Sequence, residues 1–160
     1  MPKPLWAPWR LEYIQQADDA DGCIFCAAAG GEDEEHLVVR RTDAALVVLN
    51  KFPYASGHLM IAPRRHVGEL AGLADDETLA IHRLAVEALA ALAATYRPDG
   101  HNLGWNLGRV AGAGIVDHVH LHVVPRWAGD TNFMPVLADV KVLPEHLLET
   151  RRKLAAAWPG

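Results

Sequence analysis

The stretch Asp117–Trp127, "DHVHLHVVPRW", sets His118, His120 and His122 at alternate positions, with Val119, Leu121 and Val123 between them. Side chains along a strand point to opposite faces, so residues two apart share a face at about 6.6 Å, twice the rise per residue. The run therefore predicts a strand with one apolar face and three imidazoles in a row on the other. It should end at Pro125, which has no N–H for a ladder. Buried imidazoles need partners for both ring nitrogens, which makes three in register a costly way to fill a sheet face. Two chemistries use such a row. Alternating histidines can aim nitrogens at one zinc that keeps an open position, or one imidazole can attack phosphorus while its neighbours orient it and hold the oxyanion.

The flanking segments supply the rest of a sheet. "HLVVRRT" and "ALVVLN" are short β-rich runs separated by Thr42-Asp43, which predicts a hairpin, and "GHLMIAP" repeats the pattern up to Pro63. "HNLGWNLG" leads into the histidine run through the glycine-rich "GRVAGAGIVD". Between these strands, Ile81, Leu84, Ala85, Ala88, Leu92 and Tyr96 recur at helical spacing. Asp75–Glu77 suit the positive end of that long helix, and Arg97-Pro98 marks its stop. A second helix is expected over Pro144–Trp158, with Leu147, Leu154 and Trp158 turned to a core. The sum is an α+β fold, an antiparallel sheet of about five strands carrying a long helix and a C-terminal helix. Residues 1–35 read as an N-terminal arm, a loop interrupted by a cysteine pair, and residues 36–160 as the domain proper.

Composition narrows the function. The 160 residues carry a net charge of −5, whereas a nucleic-acid-coating protein normally presents a basic face; no nucleic-acid partner is expected. No continuous apolar run approaches the roughly 18 residues of a membrane span, and "MPKPLWAPWRLEYI" lacks the pattern of a secretory signal. A cytosolic setting without a membrane partner follows as the expectation. Arg64, Arg65 and Arg126 are expected as solvated charges, and Trp6 and Trp9 as packing anchors of the arm.

Cys23 and Cys26 are the only cysteines. A Cys-x-x-Cys pair alone fits a redox couple, half of a tetrahedral zinc site or two buried thiols. "DADGCIFCAAAGG" lacks the strand–helix context of a thioredoxin-like motif, and structural zinc needs two further ligands.

"HVHLHVV" resembles the His-φ-His-φ-His-φ-φ signature (φ apolar) of the histidine triad superfamily, nucleotide hydrolases and transferases that act on an α-phosphate. The likeness extends through "NKFPYASGHLMIAPRRHVGEL", "NLG" and "HVVPRWAGDTNF", covering most of residues 36–158. With "LWAPWRLEYI" and "TRRKLAAAW" added, the chain looks closest to the bacterial branch that includes diadenosine tetraphosphate phosphorylases.

That resemblance implies His120 as the nucleophile, forming a nucleotidyl imidazole, with a hydrogen bond from its other N–H to a backbone carbonyl fixing the attacking tautomer. It implies His122 as donor to a phosphate oxygen or the leaving group, and His118 as orienter or metal ligand. Asn106 is implied against phosphate and Asn50 against the ribose, although on spacing alone either can be a turn former. The loop Gly108–Gly114, through Gly112 and Gly114, would turn backbone N–H groups toward phosphate. At Gly114 many relatives carry Ser, Thr or Gln, so a side-chain donor to the leaving group is absent there. Trp127 would cap a nucleotide or pack, and His58 occupies a further recurrent position near the site. By likeness to relatives, Cys23, Cys26, His66 and His118 would hold a structural zinc, with His36 in reserve; no organic cofactor is expected. A nucleotide substrate and a homodimer built through the long helix and a strand edge complete the expectation. Two rivals remain: a metallohydrolase with the triad as ligands, and a nucleotide-binding module without turnover.

Overall fold

The computed structural model describes residues 22–130 and 145–160. Trp6 and Trp9, the "TNF" that ends the motif after the histidines, and Pro144 lie outside the described residues.

Among the described residues, five antiparallel strands form one sheet in the order β1-β2-β3-β5-β4. They are β1 (Val38–Arg41), β2 (Ala45–Leu49), β3 (Leu59–Pro63), β4 (Gly100–Trp105) and β5 (Leu121–Arg126). The β1–β2 hairpin turns at Thr42, whose hydroxyl bonds both ways with the Ala45 backbone. Its ladder shifts register between Val38 and Arg40. All five residues of β2 are buried, because both faces of the sheet are covered and an uninterrupted apolar run is then stable.

One face carries the long helix α2 (Asp75–Tyr96) and the C-terminal helix α3 (Leu147–Ala156). Ile81, Leu84, Ala85, Ala88 and Leu92 of α2 pack with Val47, Leu49, Leu59, Ile61, Leu121 and Val123 of the sheet, and with Leu154 and Trp158. The Glu77 carboxylate accepts the Ala74 N–H at the start of α2, and Arg97 ends it in the left-handed conformation, at φ 49. By length and composition α2 would pass as a membrane span; here its apolar stripe lies on the sheet. Leu84 is almost fully buried, so Leu84→Ala should cost about 3 kcal/mol of stability, read as a lower urea midpoint at unchanged slope. α3 starts at Leu147, three residues after its expected Pro144 boundary, where His146 caps it by accepting the Leu148 N–H.

The opposite face is covered by a short helix, α1 (Ile24–Gly30), where the sequence suggested a loop. Phe25 and Ala28 of α1 pack on Val38, Leu46, Val48, Met60 and Ala62. The C-terminal end of α1 is held by two guanidinium groups: Arg41 donates to the carbonyls of Ala29 and Gly31, and Arg64 to that of Ala29, the polarity a helix C-terminus favours. Arg64 is exposed, as expected, and caps the helix from the surface. Arg65 is exposed too, but engaged: it makes a two-pronged pair with the buried Glu77 and donates to the Gly72 carbonyl. Arg126 is exposed but engaged, with Asp130 and Asn102.

Two expectations for the histidine run change. The strand begins at Leu121, so His118 and His120 stand in its extended lead-in, which is tied down by the Val119 N–H to the Val67 carbonyl. Pro125 lies inside β5, opposite His101, rather than ending it. The ladder with β3 stops at Val123, so at Pro125 the strand has a neighbour on one side only, where a missing N–H is tolerated.

Candidate active site

His122 sits opposite Met60 in the β3–β5 ladder, which puts it on the α1-covered face, and the two preceding triad histidines continue onto the same face. Each imidazole has a different set of partners. His118 is fully buried; its Nε2–H donates to the Pro63 carbonyl at 2.8 Å, which aims Nδ1 at Cys23 Sγ, 3.1 Å away, and Cys26 Sγ, 3.7 Å away. His120 donates from Nδ1 to the carbonyl of His118 at 2.8 Å. The lone pair is thereby left on Nε2, the tautomer that can attack. Burial pushes the His120 pKa below the ordinary imidazole value against the opposing pull of that carbonyl, so the ring is neutral at pH 7.

His122 is set by a relay. The Tyr54 N–H donates to His58 Nδ1 at 3.0 Å, so a neutral His58 carries its proton on Nε2 and donates to His122 Nδ1, 2.9 Å away. His122 must then carry its own proton on Nε2, 3.4 Å from the Asn106 amide. The Asn106 Nδ2 also reaches the Gly112 carbonyl at 3.5 Å, and half a turn of the amide would present its oxygen to the His122 N–H instead. The site thus pairs a ring with a lone pair on Nε2, His120, with a ring bearing a proton on Nε2, His122, their centroids 4.9 Å apart. The two rings differ in what Nδ1 meets: a backbone carbonyl for His120, the His58 imidazole for His122.

His58 is fully buried and is presented by a turn at Gly57. The φ of Gly57 is +83, and a Cβ there would lie 2.9 Å from a Leu92 methyl carbon, so only glycine fits. Tyr54 stacks on the His58 ring at 4.8 Å.

Cys23, Cys26, His66 and His118 form one cluster, their ligand atoms all within 4.8 Å of one another. His66 Nδ1 is 3.3 Å from Cys26 Sγ. Burial raises the Cys23 thiol, but a hydrogen bond with His118 and the N–H groups of the first helical turn outweigh it and hold the pKa down at about 6. Cys26 is pushed up, by burial and then by Cys23. Two sulfurs that cannot both ionise side by side, completed by two imidazole nitrogens, are a donor set that a soft divalent cation fits. The triad itself is not gathered round one point: His118 Nδ1 faces the thiols, His120 Nδ1 meets the His118 carbonyl, and His122 stands between His58 and Asn106.

A HIT domain spans residues 31–129. The chain belongs to the HIT domain family. It is 41% identical over 162 aligned residues, 96% of this chain and 83% of the relative, to the AP-4-A phosphorylase of Mycobacterium tuberculosis. Among solved structures, a zinc-bound histidine triad family protein of Mycobacterium smegmatis superposes with a TM-score of 0.67 at 26% identity, over 85% of this chain and 92% of that one. A HIT family protein of Bacillus anthracis gives 0.60 at 26% identity, over 86% and 94%.

Within this HIT domain the remaining expected residues fall as follows. Asn106 lies beside His122 and 3.5 Å from the Gly112 carbonyl. The loop is folded on itself as a 3-10 turn, Arg109–Ala111, with the N–H of Gly112 donating to Arg109 and those of Ala111 and Ala113 to Gly108. Gly112 uses its φ of 89 to close that turn; Gly114 follows it, half-buried. Asn50 accepts the Phe52 N–H at 2.8 Å and so builds the turn after β2. The Trp127 indole donates to the Tyr96 carbonyl at the end of α2. Phe25 was not singled out in the sequence as a site residue, yet its ring touches both His118 and His120. Its place between the two cysteines was the available signal.

Proposed function

We propose that this HIT protein cleaves dinucleoside polyphosphates of the diadenosine tetraphosphate kind at an α-phosphorus, in two displacements. The observation that carries the reading is the pair of opposite tautomers on neighbouring rings. His120 Nε2 bonds to the α-phosphorus as the bridging P–O bond breaks, and His122 Nε2–H gives its proton to the departing oxygen, releasing ATP from diadenosine tetraphosphate. Orthophosphate or water then gives a proton back to His122 and attacks phosphorus, the N–P bond breaks, and ADP or AMP leaves. The Mycobacterium tuberculosis relative's name favours orthophosphate as acceptor. Incubation with diadenosine tetraphosphate and labelled orthophosphate tests this: label in ADP identifies a phosphorylase, unlabelled AMP a hydrolase, and nucleotide bound without product or adduct a binding module.

On the same reading His58 sets the donor tautomer of His122. His58→Ala should lower kcat by about a hundredfold, the low end of what a general acid contributes, with KM little changed. Steady-state kinetics checks the split.

We also assign a structural zinc to Cys23, Cys26, His66 and His118, supported by their donor set and by the zinc-bound relative. When bound it would supply a crosslink between the start of α1 and the lead-in to β5, with His118 oriented by its bond to Pro63. A homodimer through β4 is the assembly we favour. β4 is an edge strand with Leu103 exposed, and Leu107 and Val110 beyond it are exposed as well. A reducing cytosol suits the two thiols.

A further inference from the structure

His120 owes its attacking tautomer to one hydrogen bond, from Nδ1–H to the His118 carbonyl. A single bond of that kind does not immobilise a ring. Rotation about the Cβ–Cγ bond by half a turn exchanges Nδ1 with Cδ2 and Nε2 with Cε1, which breaks the bond and turns a carbon toward the substrate. Something must stop the flip. His122 stands at 4.9 Å, nearly edge-on. The ring of Phe25 lies 4.8 Å from the His120 centroid, tilted by 39°, and 5.1 Å from that of His118, tilted by 49°. Both separations lie in the range of productive aromatic pairs.

Phe25 has no accessible surface, so it cannot stack on a nucleobase in this arrangement. It is also held from both ends of α1. The thiols of Cys23 and Cys26 meet His118 and His66 at the start of the helix, and Arg41 and Arg64 grip its last carbonyls. A ring fixed this firmly, against the two residues that between them define the nucleophile's hydrogen bond, does more than fill the core.

We propose that Phe25 is a positioning residue that locks His120 in its Nδ1–H orientation, making the cysteine–histidine cluster and the nucleophile one mechanical unit. The inference rests on His120 being the attacking group. It differs from a packing role because what it protects is the orientation of one imidazole rather than the stability of the fold.

The test uses the full chain as purified, with Phe25→Met, which keeps much of the volume and loses the ring, and Phe25→Leu as a second variant. Long-range proton–nitrogen NMR of the ligand-free protein should show a single Nδ1–H form of His120 in the wild type and a mixture in both variants. Quenched-flow intact-mass measurements with diadenosine tetraphosphate should show adduct formation slowed by about three- to tenfold, the loss one aromatic pair converts to, with KM within about twofold. Variants that keep the single tautomer and the wild-type adduct rate would overturn the proposal, even with a lower melting temperature. A wild-type protein that forms no adduct defeats the nucleophile reading instead, and the NMR comparison alone then decides the role of Phe25.

Discussion

His120→Asn should reduce turnover of diadenosine tetraphosphate by about 10⁴-fold or more, as removal of a covalent nucleophile does. Asparagine is the informative replacement because its amide can still donate to the His118 carbonyl that Nδ1 now uses, so the lead-in to β5 keeps its tether. Nucleotide binding should persist within a fewfold while the chemistry stops. Two measurements check this: steady-state formation of ATP and its partner product, and intact mass after mixing, where the wild type gains one adenylyl group and the variant none. A variant that turns over within tenfold of the wild type would remove His120 from the mechanism, and with it the two-displacement scheme.

Loss of the metal should be the largest perturbation of stability. Purified protein is expected to carry one zinc per chain, and Cys26→Ala or a strong chelator to lower the melting temperature by about 8–16 °C. That range follows from about 4 kcal/mol of linkage at a thousandfold excess of free metal over its dissociation constant, spread over about 2–4 °C per kcal/mol for a chain of this size. Activity should fall without vanishing, because bond making stays with His120 and His122. Scanning calorimetry and metal analysis together give the answer. A metal-free protein whose melting ignores the chelator would leave the cluster as thiols and imidazoles alone, whereas activity that tracks zinc to zero would point to the metallohydrolase reading.

The legible parts of the sequence were those set by local periodicity. The strand pattern, the α2 stripe from Ile81 to Leu92 and its stop at Arg97 follow from spacing and termination signals, and the structure has them. The cysteine segment was not legible as a helix, because α1 is only seven residues long and is stabilised by Phe25 packing and by Arg41 and Arg64, which come from distant positions. The same cause explains why the partners of the exposed Arg64 and Arg65 were not legible: the carbonyl and carboxylate they meet are fixed only once the sheet forms. In the site, the alternation of His118, His120 and His122 was visible, but the assignment of a proton to each ring nitrogen depends on the Pro63 carbonyl, the His118 carbonyl and the Tyr54 N–H. Backbone groups carry no sequence signal. Trp127 stayed open for a related reason, since an indole suits a nucleotide and a helix terminus equally well, and its bond to the Tyr96 carbonyl appears only in the fold.

The two borders of the sheet are unequal. β1 has four residues, two of them arginines, and its pairing slips between Val38 and Arg40, the short, charged, irregular margin on which a foreign chain finds little to copy. β4 is six residues long with an unbroken ladder to β5. In the proposed dimer, two molecules joined back to back through β4 would leave only β1 margins outward, so the association would close at a pair instead of running on as a fibre.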